Sequence, residues 1–361
     1  MFAPAISILK YLLFPFTLLY SCVIAIRNFF YNRGILDSVS FSIPVISVGN
    51  LSVGGTGKTP HVEYLIRLLQ YQYKVATMSR GYKRATRGFI LANEKSTFRT
   101  IGDEPMQFYS KFPDAYVSVA EDRMIGIPSL LQAATDTDII ILDDAFQHRS
   151  VKPGLNILIM DVQRPFYKDF VLPYGRLREN RGAYKRADVI IVSKCNPAIT
   201  SEQAQDIIAE IKPFAHQHVY FTALHYQMPY HISSGATLSL VDKNVLLVCC
   251  IANPASLIQQ ISKTANDLHT LSYADHHAFT DYDIEEIKTS FSNWSVSNKI
   301  VLTTEKDATR LLPYLEELTN AGITVYVQAI QVQFLLNGQE NFDQQVHTFV
   351  TKQLTHYHEN Y

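Results

Sequence analysis

IPVISVGNLSVGGTGKTP, residues 43–60, joins an apolar β-branched run to a glycine-rich turn and then to the start of an amphipathic stretch. Within it, Ser52-Val53-Gly54-Gly55-Thr56-Gly57-Lys58-Thr59 matches the phosphate-loop pattern GxxxxGK[ST] except at its first position, where serine replaces glycine. Gly54, Gly55 and Gly57 let successive backbone N–H groups turn toward an anion. A helix beginning near Thr59 adds the positive end of its dipole. Lys58 is placed to reach β- and γ-phosphates, and the Thr59 hydroxyl to ligate Mg²⁺. Val62, Leu65, Ile66 and Leu69 supply the apolar face of the following helix.

Outward from this loop, apolar runs alternate with helix-length segments. Strands are expected at Val45–Val48, Val75–Ser79, Tyr116–Val119, Ile139–Leu142, Asn156–Met160 and Val189–Ser193. The pattern predicts an α/β fold: a P-loop NTPase-like core built on a largely parallel sheet, covered on both faces. The stretch Phe221–Leu240 breaks it, alternating and turning at Ser233-Ser234-Gly235. A second, smaller α/β series follows, with strands at Val245–Ile251, His269–Ser272, Ile300–Thr303 and Thr324–Gln328. The expected division is an N-terminal hydrophobic helix (1–27), a P-loop domain (28–220), a hairpin linker (221–240) and a C-terminal α/β lobe (241–361). A cleft between lobes is a natural meeting place for two substrates.

Ile139–Leu142 ends in Asp143-Asp144, and a P-loop protein places its Mg²⁺-coordinating acid at such a strand end. Thr59, Asp143 and Asp144 are therefore the expected metal ligands.

The chain has 361 residues, 47% of them apolar and 18% charged, which supports a sizeable core and argues against disorder. A formal net charge of −1 provides no global basic field for nucleic acid. Cys22, Cys195, Cys249 and Cys250 have no CxxC spacing, so neither a disulfide framework nor a zinc site is expected. Tyr11–Ile26 carries no charge and lies between Lys10 and Arg27, with Pro15 inside it. It is shorter than the roughly 20 residues of a spanning helix, and its aromatics and flanking cations suit a membrane interface; spanning the bilayer, lying in one leaflet and packing against the globular body all stay open.

With these motifs in place, the chain resembles the tetraacyldisaccharide 4′-kinases, the lipid A kinases of Gram-negative bacteria. The resemblance is carried by VGNLSVGGTGKTP (48–60), SRGYKR (79–84), GDEP (102–105), DDAFQHR (143–149), LPYGRLRE (172–179), RADVIIVSK (186–194), YADHHAF (273–279) and TTEKDATRL (303–311). The family is similar at Ser52, with serine where other P-loops carry glycine. Ala145 departs from it, since the family usually reads glycine there, and alanine matters only if that position needs a positive φ.

The resemblance implies transfer of the ATP γ-phosphate to the 4′-hydroxyl of a tetraacyldisaccharide 1-phosphate, with Mg²⁺, at the cytoplasmic face of the bacterial inner membrane. It implies a lipid substrate and a membrane surface as partners, and no nucleic acid. Asp103 resembles the family's catalytic aspartate and His276 the histidine paired with it. Arg123, Arg176 and Arg178 are candidates for contacting phosphates or transition-state charge. Glu104 and Gln147 are expected as polar contacts in the site. Tyr82 is expected to pack on adenine or lipid, and Lys83 and Arg84 to face an anionic surface. The competing P-loop reading is a GTPase or metallochaperone switch. Val192-Ser193-Lys194-Cys195-Asn196 lacks the aspartate of the guanine motif N-K-x-D. Intact Lys58, Thr59, Asp143 and Asp144 argue against a catalytically silent membrane adaptor.

Overall fold

The structure is a computed structural model that describes residues 3–360, with side chains described over 13–356. Lys10 and Tyr11, where the expected apolar segment begins, lie outside the described side chains. The chain opens with one long helix, α1 (Ala3–Asn32), which carries Pro15 in its interior. Its segment Leu13–Asn32 is long and apolar enough to cross a membrane by length and composition.

Eight strands then build the main sheet in chain order: β1 (Val45–Gly49), β2 (Val75–Ser79), β3 (Ile90–Leu91), β4 (Tyr116–Val119), β5 (Ile139–Asp143), β6 (Leu155–Asp161), β7 (Val189–Ser193) and β8 (His218–Tyr226). Helices α2 (Lys58–Leu69), α3 (Phe98–Ile101), α4 (Asp103–Lys111), α5 (Arg123–Ala133) and α6 (Ser201–Ile211) connect them. Pairing is parallel from β4 through β8, with β1 between β5 and β6. Strands β1, β2, β5, β6 and β7 are buried along their whole length, as their unbroken apolar runs require when both faces are covered. Ile46, Val48 and Ile157 pack against α2, while Val45, Ile140 and Leu142 face the opposite side with Ile127 and Leu130 of α5.

A second sheet contains β9 (Tyr230–His231), β10 (Asn244–Cys249), β11 (Asp267–Ser272), β12 (Lys299–Thr304) and β13 (Val325–Gln328) in the order β11-β10-β12-β13-β9. Helices α7 (Ala255–Ile261), α8 (Asp281–Asn293), α9 (Glu305–Leu311) and α10 (Leu315–Asn320) accompany it.

Two boundaries differ from the sequence reading. The segment 221–240 is not one hairpin: Phe221–Tyr226 completes β8 in the main sheet, and the turn at Ser233–Gly235 belongs to a small hairpin closed by a Tyr230–Thr237 bridge. Nor does the second lobe run to 361. After β13 the chain crosses back and adds β14 (Ile330–Phe334) antiparallel to β8. Helix α11 (Gly338–Asn360) then inserts Phe342, Val346 and Val350 into the core around α2. The return pairs a strand that would otherwise stand at the sheet edge. The two crossings are stitched together, Gln227 N–H donating to the Ala329 carbonyl at 3.0 Å and the Gln328 amide to the Gln227 carbonyl at 2.6 Å.

Candidate active site

Lys58 is the first residue of α2, preceded by Gly57 at φ 91°, a conformation that favours glycine. The loop is braced from beneath. The Asn50 amide donates to the Ser52 carbonyl and the Thr56 hydroxyl, both at 2.8 Å, and the Ser193 hydroxyl donates to the Thr56 carbonyl at 2.6 Å. Burial lowers the His61 pKa to about 4, so its ring is neutral at pH 7. One ring nitrogen lies 2.7 Å from the Gly57 carbonyl, which can only accept, and the other then accepts from Thr222 at 3.1 Å.

Ser52 forms an antiparallel bridge with Leu177, flanked by Val53 N–H to Arg176 O at 2.8 Å and Arg178 N–H to Leu51 O at 2.7 Å. The first position of the loop is thus extended backbone, where serine is as suitable as glycine. Lys194, on the strand end compared with guanine motifs, is engaged instead by the Gly55 carbonyl and by Asp161 at 2.8 Å.

The paired acids are driven apart in character. Asp143 closes β5 and accepts from the Ser79 hydroxyl at 3.2 Å. Burial, then the charge of Asp144, push its pKa up to about 7 against the pull of Lys58. Asp144 sits at φ 52°. Burial opposes its charge too, but Lys58 and Arg178 outweigh that and hold it below the usual carboxylate range. Arg178 grips it with two nitrogens, at 3.0 and 2.7 Å, and Lys58 stands 3.4 Å away. Of the three expected metal ligands, Asp144 is therefore committed to cations of the protein, while Asp143 keeps one neutral partner. The left-handed residue of this turn is Asp144, and Ala145 is not among the positive-φ residues. Alanine is accommodated there without strain.

Two expected arginines point elsewhere. Arg123 is fully buried and donates to the carbonyls of Ala120 and, at 3.2 Å, Asp143. Burial pulls its pKa down to about 10. It braces the strand end from behind, and its direct contact with phosphate is not what this geometry offers. Arg84 turns inward to Glu121 at 2.6 Å and the Gly88 carbonyl at 2.5 Å instead of facing an anionic surface. Gln147 donates to the Asn50 carbonyl at 2.9 Å, and Arg27 of α1 donates to the Gln147 carbonyl at 3.0 Å. Tyr20 of α1 likewise donates to the Arg178 carbonyl at 3.2 Å. One face of α1 thus rests on the loops that carry Gln147 and Arg178. Its other face leaves Phe16, Leu19 and Val23 more than half exposed, at 63%, 66% and 57%.

A second cluster forms between the lobes. Gly102, at φ 93°, turns the chain so that Asp103 begins α4. His276 of the second lobe, itself at φ 62°, places Nδ1 2.8 Å from Asp103 Oδ2. Lys306 of α9 lies 3.1 Å from His276 Nε2 and 3.0 Å from Glu104. An ammonium only donates, so Nε2 accepts, Nδ1 carries the proton, and Asp103 receives it. Arg310 of α9, 1% exposed, donates Nε to Asp103 Oδ1 at 2.8 Å and Nη2 to Oδ2. Burial alone would raise the Asp103 pKa. The bonds from His276 and Arg310 and the nearby positive charges lower it to about 2.

His277 turns away to Asp283 at 2.9 Å, so the first histidine of the DHH run enters the cluster. The Tyr82 ring packs edgewise on His276, with centroids 5.1 Å apart. Glu104 adds to the upward push on Asp143, which brings the cluster electrostatically within reach of the P-loop acids. Lys306 and Arg310 had no role in the sequence reading. Their signal was the i, i+4 spacing of two cations on one helix face within TTEKDATRL. A cavity of about 690 Å³ bounded by Tyr31, Ala145, His148 and Asp188 includes no P-loop residue and does not mark the nucleotide site.

Comparison with known proteins agrees across almost the whole chain. The Tetraacyldisaccharide-1-P 4′-kinase family is matched over residues 9–351. The chain is 44% identical over 349 residues to a tetraacyldisaccharide 4′-kinase of Phocaeicola vulgatus, covering 94% of this chain and 95% of that one. It is also 44% identical over 354 residues to one of Flavobacterium psychrophilum, covering 97% and 99%. The crystal structure of an LpxK from Aquifex aeolicus in complex with ATP superimposes with a TM-score of 0.73 at 26% identity, covering 95% of this chain and 99% of that one. A braced phosphate loop, a strand-end acid pair and a carboxylate–imidazole contact between two lobes therefore stand in a chain that belongs to the tetraacyldisaccharide-1-P 4′-kinase family.

Proposed function

We propose that the protein transfers the γ-phosphate of ATP to the 4′-hydroxyl of a tetraacyldisaccharide 1-phosphate, with Asp103 and His276 acting on the acceptor and Lys58 on the phosphates. The activity is that of its family; the roles of individual residues are our assignment. The observation that carries them is the Asp103–His276 contact of 2.8 Å between the lobes, beside a P-loop whose Lys58 begins a helix.

The acceptor oxygen attacks the γ-phosphorus while the bond to the ADP oxygen breaks, and the hydroxyl proton passes to the Asp103–His276 unit. A carboxylate offers about four lone-pair sites. Asp103 receives His276 and Arg310 N–H groups on Oδ2 and one Arg310 N–H on Oδ1, which leaves room for a hydroxyl at Oδ1. Arg310 and Lys306 position this unit. The backbone N–H groups of Gly54, Gly55, Thr56 and Gly57 cradle phosphate oxygens, while Ser52 and Val53 anchor the start of the loop, the Val53 N–H being held by the Arg176 carbonyl. Arg178 is a further cation for them once Asp144 yields it.

Asp143 and Thr59 would hold Mg²⁺, which supplies charge neutralisation at the phosphates. The donor set fits: a carboxylate whose charged form is disfavoured by burial and by Asp144, and would be favoured by a cation, and a hydroxyl at the head of α2. No group of three His, Cys, Asp or Glu side chains suited to a metal occurs among the described residues, in keeping with an ion held partly by substrate oxygens.

The exposed apolar face of α1 would rest on the cytoplasmic face of the inner membrane and bring lipid to the cleft. The switch-protein alternative is disfavoured by Lys194, which is occupied by the P-loop and Asp161.

The test is an assay of purified protein with γ-labelled ATP and the disaccharide lipid, reading label in the lipid. Lys58→Ala serves as the control, because removing one such electrostatic contact costs on the order of 10²-fold or more. No labelled lipid from the wild type, or near-normal labelling from folded Lys58→Ala, overturns the assignment.

A further inference from the structure

Helices α4 and α9 run antiparallel across the lobe boundary, and both ends of the pair are clamped by charge. At one end, Asp103 opens α4 and meets Arg310 near the end of α9. At the other, Lys111 closes α4 and meets Glu305, the first residue of α9, at 2.5 Å. Lys111 has a further partner: Glu63 of α2, the helix that begins at Lys58, at 2.6 Å. One ammonium thus joins three helices, which carry the P-loop, Asp103, and the Lys306–Arg310 pair.

The node is not a surface ion pair of negligible worth. Glu63 is 1% exposed at its side chain, Glu305 7% and Lys111 19%. Glu63 also accepts from Gln107 at 2.8 Å and Arg67 at 2.9 Å, so it keeps partners if Lys111 is lost. Glu305 has less in reserve, a single backbone N–H from Ile330 at 3.3 Å. That N–H belongs to the first residue of β14, where the chain crosses back between lobes. Burial and the charge of Glu63 both raise the pKa of Glu305, and Lys111 opposes them. Without Lys111, two buried carboxylates would repel each other across the crossing, and the lobe would relieve this by turning Glu305 toward water.

We propose that Lys111 is a positioning residue for phosphoryl transfer, fixing the angle at which α9 presents Lys306 to His276 and Arg310 to Asp103. The proposal rests on the assignment of Asp103 to the acceptor. Lys111 touches neither nucleotide nor acceptor in this scheme, so it acts on alignment and leaves the P-loop to bind ATP.

The experiment measures kcat, KM for ATP and Tm for wild type, Lys111→Met and Lys111→Arg in parallel. Lys111→Met is expected to lose ~10-fold or more in kcat, since misplacing reacting groups by about 1 Å can cost on the order of 10²-fold. KM for ATP should stay within about twofold of wild type, because that change leaves phosphate binding intact. Lys111→Arg, which keeps the charge and reach, should recover most of the loss. Folded Lys111→Met with wild-type kcat, or Lys111→Arg no better than Lys111→Met, overturns the proposal. A parallel rise in KM for ATP does so too, because it would place the damage in the P-loop. Should Lys111→Met not fold, Glu305→Gln carries the same test, with the same split between kcat and KM expected. A wild type that labels no lipid would instead defeat the underlying assignment, so the two failures are separable.

Discussion

Arg310 and Asp103 meet as a two-pronged, buried ion pair across the lobe boundary, with Nε 2.8 Å from Oδ1 and Nη2 on Oδ2. Arg310 is also bonded to Asp307 at 3.2 Å and to the His277 carbonyl at 3.2 Å, so its fork is fixed before substrate arrives. Arg310→Met should leave Asp103 buried with His276 alone. The Asp103 pKa, now about 2, is then expected to rise. A depressed carboxylate pKa stabilises the fold above its unfolded value and loses that contribution as pH falls through the folded value. The variant should therefore unfold at a higher pH on acid titration, read by circular dichroism. Its acid limb in kcat/KM should move the same way. Unchanged acid unfolding would mean that the pair contributes nothing to the lowered pKa.

Asp103 and His276 are expected to act as one unit. Asp103→Ala and His276→Ala should each depress kcat far more than they raise KM for ATP. The double variant should lose much less than the product of the single losses, since either truncation breaks the same contact. A cycle on kcat at saturating substrates checks this, and multiplicative losses would show independent roles.

Asp143 and Asp144 should respond differently to the same change. Asp143→Asn is expected to raise the Mg²⁺ concentration needed for half-maximal activity. Because the Asp143 pKa is raised to about 7, the folded protein binds more protons there than the unfolded chain between about pH 4 and pH 7. Its contribution to stability without metal thus falls as pH rises through that window, while Mg²⁺ binding, which needs the ionised form, strengthens. The apparent Mg²⁺ affinity of wild type should increase from about pH 6 to pH 8, and Asp143→Asn should flatten that rise. Asp144→Asn releases Lys58 and Arg178 and should act mainly through KM for ATP. Identical metal dependence in both variants and wild type would place the ion elsewhere.

Deleting residues 1–26 should move the protein toward the soluble fraction after membrane sedimentation. It also removes Tyr20, whose hydroxyl bonds the Arg178 carbonyl at 3.2 Å, and Thr17, which receives the Tyr174 N–H at 3.0 Å. The truncated enzyme should therefore lose kcat/KM for lipid even in detergent. Sedimentation unchanged by the deletion would assign α1 to packing alone.

The P-loop lobe was legible because its evidence is local. Unbroken runs such as Ile139–Leu142 and the GKT at 57–59 are contiguous in sequence. The return of β14 was not. Gln331 and Gln333 alternate with Val332 and Phe334, a pattern whose partner, β8, lies about a hundred residues upstream. In the site, Asp103 and His276 stand in contact, but burial decided the surroundings of the other motif residues. Arg123 reads as a cation and is a fully buried brace. Lys306 and Arg310 had no role in the sequence reading because TTEKDATRL does not disclose their partners: Glu104 and His276 for Lys306, and Asp103, more than two hundred positions earlier, for Arg310.

The return of β14 and α11 also gives the protein an order of assembly. Phe342, Val346 and Val350 seal the apolar face shared with Leu69 and Tyr220, yet they follow the entire second lobe in the chain. On the ribosome, β8 emerges as a bare sheet edge and waits while about a hundred further residues are made. The smaller lobe, whose contacts are nearer in sequence, can close during that interval, whereas the nucleotide-binding lobe cannot seal until the returning segment docks. Nascent enzyme would hold an exposed β8 during synthesis, and that is the stage at which a chaperone or an unwanted strand would find it.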